Sequence, residues 1–237
     1  MFKSNNPGIV FFYRIFYLFF LGFHNQCISE GWTTWRMVSK SLLLPLILGY
    51  LLLSIGKKGA GQITGRMAIV ALLFSWWGDL LLMGDGTQLF LWGMICFMLT
   101  HLCNIRILIK AHTFRWNVNT LTGTVISLLA VGIFYYLMKD RLGSFLLPVV
   151  IYMALIAVSW ALSFNLLNHE QLKKTAASFI VPGIGLFIFS DAILAYNKFF
   201  QLSSVLLDML VMITYGLAQW LIAEGYILLI YPKEENK

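Results

Sequence analysis

The feature that most constrains this chain is a series of eight apolar stretches separated by short polar breaks. A helix of roughly 20 apolar residues crosses the hydrocarbon core of a bilayer, and each stretch approaches or exceeds that length. The stretches are Ile9–Phe23, Lys40–Ile55, Met67–Met83, Leu89–Leu108, Val118–Met138, Phe145–Leu167, Ala176–Tyr196 and Val205–Ile230. They predict an all-α, polytopic transmembrane bundle of eight helices that forms one integral membrane domain over residues 1–237.

The composition excludes the soluble alternatives. Of the 237 residues, 59% are hydrophobic and 11% are charged, whereas an ordinary soluble domain has about 25% charged residues. Because a soluble fold of this length could not hide so much apolar surface, disorder, a disulfide-stapled secreted module and a nucleic-acid-binding domain are poor interpretations. Basic residues at helix ends account for the net charge of +7, so we expect no nucleic-acid partner.

The breaks between the stretches are too short to form a second domain. The longest is His24–Ser39, and glycines mark turns at Gly56–Gly65 and Gly84–Thr87. Arg14 interrupts the first stretch, but no small-residue cleavage pattern follows Phe23. We therefore interpret the first stretch as a membrane helix rather than as a cleaved signal peptide.

Lysine and arginine residues are distributed unevenly between the two ends of the predicted helices. Of the 17 in the chain, one side collects Lys3, Arg14, Lys57, Lys58, Arg66, Arg106, Lys110, Arg115, Lys173, Lys174, Lys233 and Lys237. The other side collects Arg36, Lys40, Lys139, Arg141 and Lys198. Since cytoplasmic loops carry the excess of basic residues, we expect both termini to be cytoplasmic, in agreement with an even number of helices.

Two short similarities suggest an internal repeat. Phe74–Asp79 in the third stretch resembles Phe189–Asp191 in the seventh, and Met98–His101 in the fourth resembles Met212–Tyr215 in the eighth. Duplication of a four-helix unit in parallel orientation, a 4+4 repeat, would produce this pattern. Chance similarity between apolar helices would produce it as well.

Asp79 and Asp191 are the ionisable residues within the stretches that are hardest to explain structurally. Their two helices cross in the same direction, so both carboxylates lie roughly 6–7 Å below the same surface. Lys40 and Asp208 begin helices of the opposite direction and therefore lie at that same end. A charged group in hydrocarbon normally faces the bundle interior and marks function. The four groups predict an acid/base site, with a structural ion-pair network as the alternative.

Further polar residues lie inside the stretches. His101 is the only histidine in a predicted span, since the others fall in breaks: His24, His112 and His169. Tyr215 and Gln219 lie one turn apart on the last helix and share a face. A polar stripe on an apolar helix must look inward. Glu224, near the cytoplasmic end of that helix, is expected to pair with a basic neighbour.

At these residues the chain resembles the lysoplasmalogenase family of multi-spanning membrane enzymes. The matching segments run in order from Lys40 to Ile230 and comprise Lys40, Ser75–Met83, Gly93–His101, Gly185–Phe199 and Thr214–Ile222. Two positions depart from the family pattern. Ser41 follows Lys40 where the family usually has proline, and Asn104 replaces what is commonly an aromatic residue.

The resemblance implies an enzyme that hydrolyses the vinyl ether bond of lysoplasmalogens, releasing a fatty aldehyde and glycerophosphoethanolamine or glycerophosphocholine. Its partners would be the lipid bilayer and a lysophospholipid substrate, and it implies Asp79 and Asp191 as the catalytic pair. The residues predicted to bind substrate are Lys40, His101, Asn197, Tyr215 and Gln219. The residues predicted to support the aspartates are Ser75, Ser190 and Asp208.

A pair of carboxyl groups suits this chemistry. A vinyl ether is labile to acid, because a proton on its alkene carbon creates an oxocarbenium ion that water then attacks. One carboxylic acid and one carboxylate suffice, so we predict no metal and no other cofactor. The alternatives are a proton-coupled transporter, a metal-dependent membrane lipid hydrolase and a non-catalytic lipid-binding protein.

The same reasoning predicts the geometry of the site. We expect Asp79 and Asp191 to face one cavity, with carboxyl groups about 3–8 Å apart, as in other two-carboxylate hydrolases. The cavity should open toward the non-cytoplasmic side and have a lateral apolar tunnel. Lys40 would contact the substrate phosphate, while His101 and Tyr215, which lie deeper, would line the cavity.

Overall fold

A computed structural model describes residues 7–231, which are almost entirely helical and contain no β-strand. The α-helices are α1 (Pro7–Ser29), α2 (Thr33–Gly61), α3 (Ile63–Leu82), α4 (Thr87–Ala111), α5 (Val118–Leu142), α6 (Leu146–Asn165), α7 (Glu170–Thr175), α8 (Val181–Phe199) and α9 (Val205–Ile230). One-turn 3₁₀-helices follow α5 at Gly143–Phe145 and α6 at Leu166–Asn168, and a π-helix at Ala176–Ile180 leads into α8. The predicted all-α fold is confirmed.

Seven helical segments among the described residues are long and apolar enough to cross a membrane, so the chain is an integral multi-pass membrane protein. One of them, Val118–Asn168, contains both α5 and α6. These two helices fold back on each other, since Asn119 donates a hydrogen bond to Asn168 and Thr120 donates one to Asn165. Gly143, with φ near +50°, forms the turn between them. The predicted count of eight and the internal repeat are not confirmed.

The first two helices are longer than predicted. α1 continues to Ser29 and α2 begins at Thr33, so the predicted long break at His24–Ser39 is wrong. Lys40 accordingly lies two turns inside α2 instead of at its start. Hydropathy identifies the part of a helix that lies in hydrocarbon, whereas backbone hydrogen bonding continues into the more polar interface. The chain between the helices is only the short turn that contains Gly31.

Two further breaks differ from one another. The turn predicted at Gly84–Thr87 is present between α3 and α4. The loop predicted at Gly56–Gly65 is mostly helical, because α2 continues to Gly61 with a kink at Gly56 and α3 begins at Ile63.

Three lysines used to predict the sidedness of the helices lie outside the described residues: Lys3, Lys233 and Lys237.

Arg14, which interrupts the first apolar stretch, has a partner in the last helix. Its guanidinium forms a two-pronged ion pair with Glu224, with N–O distances of 2.8 and 2.9 Å, and also donates to Tyr50. Tyr50 in turn donates to Glu224 at 2.6 Å. The expectation that Glu224 pairs with a basic residue is therefore confirmed, and the pair fastens α1 to α2 and α9.

The bundle has two parts that position the site differently. α9 is the centre of one part, with α1, α2, α3 and α8 packed around it. In the other part α6 packs against α4, α5 and α8. α3 and α4 join the parts as a close hairpin, in which Gly78 leaves no room for a side chain because a Cβ atom would lie 2.9 Å from the Phe97 ring. Asp79 thus belongs to the first part, and Asp191 faces the second.

Candidate active site

Asp79 lies near the end of α3, where α2, α3 and α9 meet. Its side chain is buried, and its Oδ2 atom accepts a hydrogen bond of 2.9 Å from the Tyr215 hydroxyl of α9. The Lys40 ammonium of α2 is 4.0 Å from its Oδ1 atom. Because helix direction alone predicts Lys40 and Asp79 at one end of the bundle, this ion pair agrees with the predicted depth. It also places an ammonium group beside the Asp79 carboxyl group.

Asp191 lies in the second half of α8 and accepts a hydrogen bond from the hydroxyl of Tyr152 on α6. Within residues 7–231 no lysine or arginine forms an ion pair with it. Its carboxyl group forms part of the wall of a cavity whose other walls are almost entirely apolar. Asp191 is therefore a carboxyl group held by one tyrosine in an apolar space.

That cavity has a volume of about 370 Å³ and is lined by side chains from α4, α5, α6 and α8 and by Leu82 of α3. The volume falls within the usual range for ligand pockets, about 300–1,000 Å³. Two of the wall residues, Ile133 near the middle of α5 and Phe189 in α8, are 61% and 55% exposed on the outside of the bundle. The cavity therefore reaches the outer surface of the bundle beside α5 and α8.

The cavity wall includes Asp191 and not Asp79. Phe97, which does line the cavity, has its ring centre 6.1 Å from that of Tyr215. The expected single cavity facing both carboxyl groups is therefore not what this structure has. Phe97, Phe187 and His101 pack against one another between the pocket and the Asp79–Tyr215 pair, and we call these three rings the aromatic layer.

His101 is part of this aromatic layer. Its ring centre is 4.9 Å from that of Phe187 and 5.7 Å from that of Tyr152, so it touches the tyrosine that holds Asp191. The ring is completely buried, and neither nitrogen has a hydrogen-bond partner among the described residues. His101 is not the only buried histidine, because His24 lies inside α1 and hydrogen-bonds to Ser39, contrary to its predicted place in a break.

Gln219 and Ser75 form a separate polar network. Gln219 donates to the Ser75 hydroxyl at 3.0 Å, and Ser75 lies 3.1 Å from the Thr100 hydroxyl. Two turns further along α9, Tyr226 donates to Asn104 at 2.8 Å. The polar stripe predicted on the last helix is therefore real. Of that stripe, however, only Tyr215 contacts an aspartate.

The remaining predicted residues hold the α8–α9 connection together. Asp208 accepts from Arg36 and from the Asn197 amide, each at 2.8 Å. The Asn197 side-chain oxygen accepts from the backbone of Ser204. Ser190 donates to the backbone carbonyl of Val211 rather than to its neighbour Asp191. None of these side chains lines the cavity.

Tyr152 is the site residue that the sequence analysis missed. It is the direct partner of Asp191, but a single tyrosine in an apolar helix is an ordinary packing residue. A signal was available: Ser159 and Ser163, seven and eleven residues later, are also buried and share its helix face. The criterion that selected Tyr215 and Gln219 on the last helix would have selected this face of α6.

Within residues 7–231, no three His, Cys, Asp or Glu side chains come together in a way that could hold a metal ion. What the arrangement offers chemically is two carboxyl groups, each held by a tyrosine. One of them has a neighbouring cation, and the other has access to an apolar pocket.

Comparison with known proteins gives one match. The sequence model of the YhhN family matches residues 35–226, which include both aspartates and every helix that builds the cavity. No curated protein and no solved structure matches the chain.

Proposed function

We propose, because the chain belongs to the YhhN family and that family includes lysoplasmalogenases, that this protein is a membrane-embedded hydrolase of lysoplasmalogens. The substrate is a lysophospholipid whose chain is attached through a vinyl ether. The products are a fatty aldehyde and the glycerophosphodiester. Asp79 and Asp191 are the two carboxyl groups on which the reaction depends.

The observation that carries the proposal is the apolar cavity with Asp191 in its wall. A lysolipid has a single apolar chain, and its vinyl ether lies where that chain meets the polar glycerol. With the chain in the cavity, the labile bond is brought to Asp191, the carboxyl group of the cavity wall. The opening between Ile133 and Phe189 lets the substrate arrive sideways from the bilayer, without passing through water.

The surroundings of the two aspartates suggest their roles. A carboxyl group in an apolar space without a cation is suited to hold a proton, whereas a carboxyl group beside an ammonium is suited to remain ionised. We therefore assign Asp191 as the acid. Asp79, beside Lys40, is the lasting negative charge that stabilises the cationic intermediate across the aromatic layer.

The reaction balances with these two groups and one water molecule. Asp191 transfers its proton to the alkene carbon farther from the ether oxygen, and the alkene electron pair becomes the new C–H bond. The oxygen then shares its lone pair with the adjacent carbon, which gives an oxocarbenium ion. Water attacks that carbon and returns a proton to Asp191. The resulting hemiacetal breaks its bond to the glycerol oxygen, which takes up the hydroxyl proton, and the aldehyde is released.

The decisive experiment compares two substrates. Purified protein in detergent should release aldehyde from 1-alkenyl lysophospholipid and none from the saturated 1-alkyl ether, since only the vinyl ether can be protonated on carbon. Solvent deuterium should slow the reaction, and EDTA should leave the rate unchanged. Absence of aldehyde from both substrates would contradict the proposal, and loss of activity in EDTA would favour the metal-dependent hydrolase.

We also propose that α5 and α6 cross the membrane separately, which makes eight crossings and puts both termini in the cytoplasm. The support is the fold-back at Gly143 together with the distribution of lysine and arginine. Reporters fused after Lys237 and within Gly84–Thr87 should report opposite sides. A reporter at Gly143 should agree with the one at Gly84–Thr87. Any other result would contradict this topology.

A further inference from the structure

Lys198 lies near the end of α8, seven residues after Asp191. Seven residues are almost two helical turns, so the two side chains leave the same face of the helix, about 10 Å apart along its axis. Ala195 and Phe199, between and beside them, line the cavity. Lys198 therefore stands above Asp191 on the side of the helix that faces the pocket.

The Lys198 ammonium lies at one end of the cavity. Its Nζ atom is 4.4 Å from the ring centre of Phe90, and Phe90 is a wall residue that packs against Phe199 with ring centres 6.0 Å apart. This is the end where α3, α5 and α8 finish and α4 begins. The Arg141 guanidinium stacks nearby, 5.0 Å from the ring centre of Phe200.

Lys198 and Arg141 differ from Lys40 and Arg36, two other cations at this end of the bundle. Lys40 is 4.0 Å from the Asp79 carboxylate and Arg36 is 2.8 Å from the Asp208 carboxylate. Among the residues that the structure describes, Lys198 and Arg141 form no ion pair with a carboxylate. Both are exposed. Lys198 lies against the cavity-wall residue Phe90 and Arg141 lies against Phe200, the neighbour of the wall residue Phe199, so their charge is available to an anion.

The spacing fits the substrate class of the proposed function, on which this inference rests. In a lysoplasmalogen five bonds separate the vinyl ether oxygen from the phosphorus, a span of about 6 Å when extended. A lysine side chain reaches back several ångströms and binds phosphate as a point charge. With the vinyl ether at Asp191, the phosphate therefore comes within reach of the Lys198 ammonium.

We propose that Lys198, assisted by Arg141, binds the phosphodiester of the lysophospholipid at the end of the cavity that Phe90 and Phe199 form. This assigns phosphate recognition to a different residue from Lys40, whose ammonium is occupied by Asp79. The contact is with the phosphate, so it selects phospholipids over neutral glycerol ethers. It does not discriminate between ethanolamine and choline headgroups.

The test measures kcat and KM on two alkenyl substrates that differ only in the headgroup, a lysoplasmalogen and the matching 1-alkenylglycerol without phosphate. For Lys198→Ala we expect KM on the phospholipid to rise about tenfold, the effect of losing one charge-assisted contact. Its kcat should stay within about twofold of the unmodified protein. Both constants for 1-alkenylglycerol should be unchanged, and Lys198→Arg should restore most of the phospholipid affinity.

Lys139→Ala is the matched control. Lys139 also lies at this end of α5 against an aromatic ring, 5.5 Å from the centre of Tyr136, but that ring is outside the cavity wall. Its KM should not change. An equal change on both substrates, or none on either, in Lys198→Ala would overturn the phosphate site while leaving the hydrolase intact. Failure of the unmodified protein to cleave either substrate would overturn the proposed function and this site with it.

Discussion

Asp79 and Asp191 each accept a hydrogen bond from a tyrosine, yet their surroundings are opposite. Asp79 is buried among α2, α3 and α9 with an ammonium beside it, and it does not line the cavity described above. Among the described residues Asp191 has no such cation, and it borders an apolar pocket that reaches the outer surface of the bundle. One half of the site is closed and has a cation beside its carboxyl group, and the other half is open and apolar.

Two carboxyl groups at equal depth in the membrane therefore need not have the same chemical role. Two carboxyl groups become an acid and an ionised partner when their environments differ. In the proposed mechanism the open half receives the vinyl ether and supplies the proton. The closed half supplies a fixed charge. Three sets of variants test whether the two halves have these different roles.

The largest effect is expected for the aspartates themselves. Asp191→Asn removes the proton donor and Asp79→Asn removes the stabilising charge, so each should lower kcat at least about 100-fold, the scale of general acid–base catalysis. Because the two groups act as a unit, the double variant should be little worse than the worse single variant. Aldehyde release by purified, monodisperse protein measures this.

Asp85→Asn is the matched control for that series. Asp85 is an exposed aspartate in the turn directly after α3, and its replacement should leave kcat unchanged. Turnover of Asp191→Asn close to that of the unmodified protein would remove the two-carboxylate mechanism. Multiplicative losses in the double variant would show that the two carboxyl groups act independently.

An intermediate effect is expected for Lys40. If Lys40 serves the closed half by keeping Asp79 ionised, Lys40→Ala should lower kcat about tenfold with KM within about twofold, because the charge is needed in the transition state. If instead Lys40 binds the substrate phosphate, as the sequence alone suggests, KM should rise and kcat should hold. Measuring both constants separates the two roles.

The smallest effect is expected for the tyrosines. Tyr152→Phe and Tyr215→Phe each remove one hydrogen bond to a carboxyl group, so each should lower kcat about threefold to tenfold. Tyr196→Phe, an exposed tyrosine on α8, serves as the control and should have no effect. The comparison would fail if Tyr215→Phe changed KM and Tyr152→Phe did not, since only the Tyr152 side borders the pocket.

Much of this architecture could be predicted from the sequence. Apolar stretches of membrane-crossing length indicated the bundle, because backbone groups in hydrocarbon must be satisfied inside a helix. The cost of a charge in lipid selected Asp79 and Asp191 as inward-facing groups and predicted a basic partner for Glu224. Helix direction put Lys40 and Asp79 at one end, and helix periodicity put Tyr215 on an inward face of α9.

The tertiary structure alone decided which inward-facing groups meet. The rotation and tilt of whole helices decide three pairings: Lys40 with Asp79, Tyr152 with Asp191, and Arg14 with Glu224. A cavity is likewise the space left where packed helices fail to touch, and hydropathy along one helix contains no information about it. A single helix determines which of its faces must avoid lipid, whereas close packing between helices determines what that face encounters.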